Sequence, residues 1–174
     1  MLTLRRCVVG LVAVLLVSGG ALVGLVAVLL VSGGALAQTP TAPKESAEVA
    51  AIRVKANAGD AQAQSTLGMS YLDRGVPQDD AQAASWFRKA AEQGLADAQN
   101  ILGAMSERGW GVPQDFVEAH KWLNLAASRA SAAYQRTYAE TRDRVAKKMT
   151  SAQIADAKKL AREWLTAFEQ RGGK

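Results

Sequence analysis

The sequence predicts an all-α protein, two helix–turn–helix repeats stacked as a short solenoid with an N-terminal cap helix and C-terminal helices. Three observations carry this. A diverged self-match lays "ANAGDAQAQSTLG" (56–68) over "AEQGLADAQNILG" (91–103) at an offset of 35, and "GVPQDDAQAASWFRKAA" (75–91) over "GVPQDFVEAHKWLNLAA" (111–127) at an offset of 36. A period in the mid-thirties marks stacked helix pairs. Within each copy the apolar residues recur at i, i+3, i+4 and i+7, the spacing of one buried helix face. Glycine and aspartate stand where such helices have to stop and start.

The chain opens with a different repetition. Residues 9–22 and 23–36 are the same fourteen letters, "VGLVAVLLVSGGAL", printed twice. Cores tolerate varied apolar residues of similar volume, so packing does not demand identity. A tandem duplication of coding sequence explains it. Arg5 and Arg6, the apolar run and the small residues of "ALA" (35–37) read as a secretory signal peptide over 1–37, cleaved before Gln38. The alternative is retention as a signal anchor, because the uncharged run from Cys7 to Ala37 exceeds the roughly 20 residues that span a bilayer. Either way residues 38–174 are expected outside the cytoplasm, periplasmic or secreted when cleaved and membrane-anchored when not. Cys7, the sole cysteine, falls in the leader, and the charges before it argue against lipid attachment. Residues 38–43 (QTPTAP) read as a spacer.

The helical domain is expected over 44–174. Residues 44–58 form a half-repeat cap with helix-B spacing, Ala51 and Ile52 taking the places of an aromatic pair. Repeat one spans 61–94 and repeat two 97–130. Helix A of each ends near Asp73 and Arg108. The turn Gly-Val-Pro-Gln-Asp offers Asp79 and Asp115 as N-caps. Helix B carries the stripes Ala83, Trp86, Phe87, Ala90 and Ala119, Trp122, Leu123, Ala126. Gly59 and Gly94 suit left-handed helix ends. Gly68 and Gly103 lie inside helix A, where glycine costs about 1 kcal/mol against alanine. That points to helix B crossing there, with its tryptophan, too closely for a side chain.

These residues resemble the Sel-one-like repeat family, relatives of the tetratricopeptide repeats. The first unit supplies Ala63, Leu67, Gly68, Tyr71, Gly75, Val76, Asp79, Ala83, Trp86, Ala90, Ala91 and Gly94. The second supplies Ala98, Leu102, Gly103, Gly109, Gly111, Val112, Asp115, Ala119, Trp122, Ala126 and Ala127. It departs at Ser106, where the pattern has tyrosine, and at 128–130, where the closing glycine is missing. The resemblance implies a right-handed α/α superhelix used for protein–protein contact, without chemistry of its own.

Beyond the repeats, 131–170 reads as two more helices, the last opened by a Thr150/Gln153 capping box. Its stripe is Ile154, Ala157, Leu160, Ala161, Trp164, Leu165 and Phe168. Charge is uneven: the chain is +5, with 11 Lys/Arg against 5 Asp/Glu over 129–174. A basic third suits an acidic partner, a membrane surface or nucleic acid, but the solvated face of packed helices explains it as well. Nucleic acid is not expected, and a membrane only if the leader is kept.

Catalytic material is sparse. His120 is the only histidine, and Glu118 two residues away points to another helix face. Gly109-Trp110-Gly111 lacks the strand and lysine of a phosphate loop and reads as a turn. Capping accounts for Asp79 and exposure for Asp80. No cofactor, metal or catalytic residue is expected, and a cell-wall hydrolase is the weaker alternative. The expected role is a non-enzymatic interaction or adaptor module of the cell envelope, monomeric, with a protein partner. Trp86, Trp122 and Trp164 read as core, whereas Trp110 sits in a turn. The candidate partner-binding surface is Gln64, Ser65, Met69, Leu72, Asn100, Ala104 and Met105, with Trp110.

Overall fold

A computed structural model describes residues 46–73 and 78–173. The leader over 1–37, the spacer 38–43, the first residues of the cap, and Gly75 and Val76 of the first turn lie outside the described residues. Among the described residues the chain forms α1 (Ala47–Asn57), α2 (Ala61–Leu72), α3 (Asp80–Glu92), α4 (Ala96–Arg108), α5 (Phe116–Arg129), α6 (Ala132–Ala146) and α7 (Ser151–Gln170), with no strand.

The helix starts follow from side-chain caps that accept orphan backbone N–H groups. Asp60 accepts from Ala63, Asp79 from Gln82, and Asp115 from both Val117 and Glu118. Thr150 and Gln153 close the expected capping box. Gly59 and Gly94 take positive φ of 95° and 85° at the ends of α1 and α3. The second turn lies wholly within the described residues. Glu107 and Arg108 complete α4, so the turn begins at Gly109. Gly111, at φ 66°, lies against the backbone of Asp80 and Ala81, where any Cβ would collide. The widened turn of the second unit therefore seats on the first turn of α3.

Packing runs in series, α1 on α2, α2 on α3, α3 on α4 and α4 on α5, after which α5 supports both α6 and α7. This neighbour-to-neighbour order is that of a helical-repeat superhelix. Trp86 is buried with Val49, Ala56, Ala63 and Leu67 of α1 and α2. Trp122 is buried one unit on, with Phe87, Ala98 and Leu102. Each B-helix tryptophan thus packs toward the preceding unit. Trp164 is only half-buried and lies edge-on to Trp122 at 5.8 Å.

Three expectations need correction. The close A/B crossings exist, but the residue after each tryptophan makes them: a Cβ on Gly68 would meet the Phe87 ring at 3.0 Å, and one on Gly103 would meet Leu123 Cγ at 2.7 Å. Ala51, in the cap, is exposed, because α1 turns Val49 and Ala56 fully inward and Ala51 lies off that face. Leu160 is exposed because α7 turns only Ala157, Ala161 and Phe168 fully inward. Without a closing glycine, α5 ends on extended Ala130, itself buried beside Ala126 and Tyr138. The chain thus enters α6 directly.

Candidate interaction surface

The candidate surface residues separate into two groups. Met69 and Trp110 are exposed, at 46% and 48%, and Leu72, Asn100 and Ala104 are half-buried. Met69 and Ala104 occupy equivalent positions of the two A helices. Trp110 stands in the second turn with the Arg108 guanidinium 4.5 Å from its ring centre.

Gln64, Ser65 and Met105 are not available, which corrects the expectation. Each A helix is held on two sides, α2 by α1 and α3, α4 by α3 and α5. Its buried arc is therefore wider than the single stripe of a surface helix. Met105 joins the core beside Leu102. Gln64 donates Nε2–H to Ala56 O at 3.1 Å and accepts from Gln93 Nε2 at 2.8 Å, tying three helices together. Gln99 repeats half of this, donating to Ala91 O at 3.1 Å. Its Oε1 is buried without a partner, because the residue equivalent to Gln93 is Arg129. That arginine instead donates to Gly94 O at 3.2 Å and lies over Phe168 of α7. A legible signal existed: glutamine recurs at the same place, 64 and 99, in both copies.

An open groove of about 610 Å³ lies where α2, α3 and α7 meet, lined by Gln64, Lys89, Glu92, Gln93, Trp164 and Arg171. Of these the sequence offers only Gln64 as a surface candidate and reads Trp164 as core, since the groove depends on how α7 folds back. Trp164 stacks on Phe168 at 4.9 Å, and the Lys89 ammonium sits 3.8 Å over Trp86.

The basic C-terminal third is partly consumed within the fold. Glu107, 5% exposed, holds Arg144 at 3.2 Å and Lys148 at 2.9 Å. Burial pushes its carboxyl upward, but the two cations outweigh that and hold it below the usual carboxylate value. Tyr138 donates to Asp97 at 2.7 Å, and burial with that bond raises its phenol.

His120 is buried on α5 with Nδ1 unpartnered. Glu118 serves other groups, accepting from Lys121 at 2.8 Å and from the Trp122 indole N–H at 2.7 Å while facing Arg88 of α3 at 3.5 Å. Asp79 is spent as a cap, and Asp80 accepts from Gln78. Among the described residues no group of three His, Cys, Asp or Glu is placed to hold a metal ion. No described helix is long and apolar enough to cross a membrane.

The fold and its serial packing define a helical-repeat protein. The repeats are Sel1 repeats, matched over residues 61–95 and 96–131. A similar solved structure is c5321, a protective antigen present in uropathogenic Escherichia coli strains displaying an SLR fold. It is 36% identical with a TM-score of 0.63, over 68% of this chain and 25% of that one. A Sel1 repeat protein from Oxalobacter formigenes is 44% identical over 52% of this chain and 26% of that one, with a TM-score of 0.47. The chain thus spans about a quarter of either structure's length. No curated protein matches it. Sel1 repeats generally mediate protein–protein interaction, and the fold is typically a non-catalytic scaffold.

Proposed function

We propose that this chain is a non-enzymatic adaptor of the bacterial cell envelope, which uses its two repeats to hold a protein partner. The observation that carries this is the exposure of Met69 and Trp110 on a repeat framework whose other large side chains are mostly buried. Exposed aromatic and Met side chains are the usual anchors of a partner interface. The signal-peptide pattern of 1–37 supports export. The unbroken apolar run from Cys7 to Ala37 favours a second form, an anchored scaffold with the same repeats outside the cytoplasm.

The test is in-cell cross-linking from a photoreactive residue replacing Trp110 or Met69, with a Lys159 position as control. A discrete adduct from the first two sites and none from the third supports the reading. It should vanish when Met69→Glu is combined with the Trp110 probe. Adducts equally strong from all three sites, or none, would overturn it.

A further inference from the structure

We infer that the groove between α2, α3 and α7 binds an extended acidic peptide segment, with carboxylates on Lys89 and Arg171 and an apolar side chain on Trp164. This rests on the reading of the chain as an interaction module and names the partner's chemistry. At about 610 Å³ the open groove has room for a few side chains of an extended segment. Lys89 enters from the last turn of α3, and Arg171 follows the last residue of α7. Neither has a carboxylate partner among the described residues, and Glu92 is the only acidic lining residue.

The floor is aromatic. Trp164 has one neighbour stacked on it, Phe168, and one at its edge, Trp122, so its half-exposed remainder faces the groove. The Gln64–Gln93 amide pair supplies a polar wall. Gln93 uses one Nε2–H on Gln64, which leaves the other for a peptide carbonyl. Two cations flanking an indole and an amide pair complement a carboxylate-bearing backbone. A nucleic acid is the poorer fit, since it would bring a run of phosphates past Glu92 with only two lining cations to meet them.

Panning a phage-displayed random octapeptide library against the full chain in mild detergent tests this, with the dominant peptide resynthesised and dye-labelled. The expected peptide is rich in Asp or Glu and contains an aromatic or aliphatic residue. Its Kd should weaken about two- to fivefold with Lys89→Glu and again with Arg171→Glu, as for exposed charge pairs. It should tighten with Glu92→Gln and weaken as salt rises. All three positions are exposed, and matching circular-dichroism melts check the fold, with Lys89→Gln as a milder variant. Neutral or basic peptides, acidic peptides indifferent to all three substitutions, tighter binding of a single-stranded oligonucleotide, or no selected peptide would each overturn the groove assignment. Peptides that respond to Met69→Glu and Trp110→Ala but not to the groove variants would overturn it while leaving the interaction module standing.

Discussion

At the scale of single residues, His120 and the two helix-A glycines give the sharpest consequences. Burial holds His120 below its ordinary value of 6.5, Arg142 and Lys158 add to this, and Asp143 opposes it. The neutral ring is therefore the folded form. As pH falls below 6.5 the unfolded chain takes up the proton first, so stability is lost from there down through the folded value and is fully present above. The melting temperature should drop between pH 7.5 and 5.5, and His120→Gln should remove most of that drop. An unchanged profile in the variant would assign the drop elsewhere. For the glycines, a methyl on Gly103 runs into Leu123 Cγ and comes within 3.1 Å of Ala119 O, neither of which yields cheaply. On Gly68 it meets only the edge of the Phe87 ring, at 3.0–3.2 Å. Gly103→Ala should cost about 1–3 kcal/mol, while Gly68→Ala stays near neutral because helix propensity returns about 1 kcal/mol. Leucine at either position should destabilise. Urea midpoints of the four variants decide it.

At the scale of elements, α6 is held to α4 by a charge whose partners lie 37 and 41 residues away. Glu107→Gln should cost about 1–2 kcal/mol, discounted because Arg144 and Lys148 are half-exposed and remain solvated. Hydrogen exchange should quicken in α6 before it does in α2 or α3. The wild-type contribution is present above the unfolded carboxylate value of 4.5 and is lost as pH falls through the lower folded one. The difference between the two proteins should therefore shrink in acid. This same contact shows where the sequence stops being legible. The caps at Asp79, Asp115 and Thr150, the helix ends at Gly59 and Gly94 and the B-helix stripes are local, so letters a few positions apart disclose them. Glu107 looks like one more charge in the last turn of helix A until α6 folds against it. Gln64 looks like surface until α1 and α3 close on both sides, and Leu160 looks like core until α7 chooses its tilt across α5. Contacts between elements distant in sequence leave no periodicity to read, and the groove at Trp164 is one of these.

At the scale of the whole molecule, residues 38–174 carry a continuous succession of packed helices and should fold without the leader. Circular dichroism of that fragment should show strong helix and one cooperative melt, and sedimentation a monomer; a coil spectrum would contradict the architecture. In cells the chain should begin at Gln38 on most molecules, and deletion of residues 23–36 should leave that end unchanged. N-terminal sequencing of envelope and soluble fractions reads this directly, and Met1 on nearly all molecules would make it a tethered protein. The mismatch between Gln93 and Arg129 has a consequence for how such a chain can grow. A copy of 61–95 spliced between the units brings its own glutamine to close the next amide link. A copy of 96–131 in the same place brings an arginine to a turn with no Phe168 above it, and a second glutamine oxygen buried with nothing to accept from. Lengthening by gene duplication therefore has a direction: new units are tolerated as offspring of the first repeat, and the second stays where α7 can reach it.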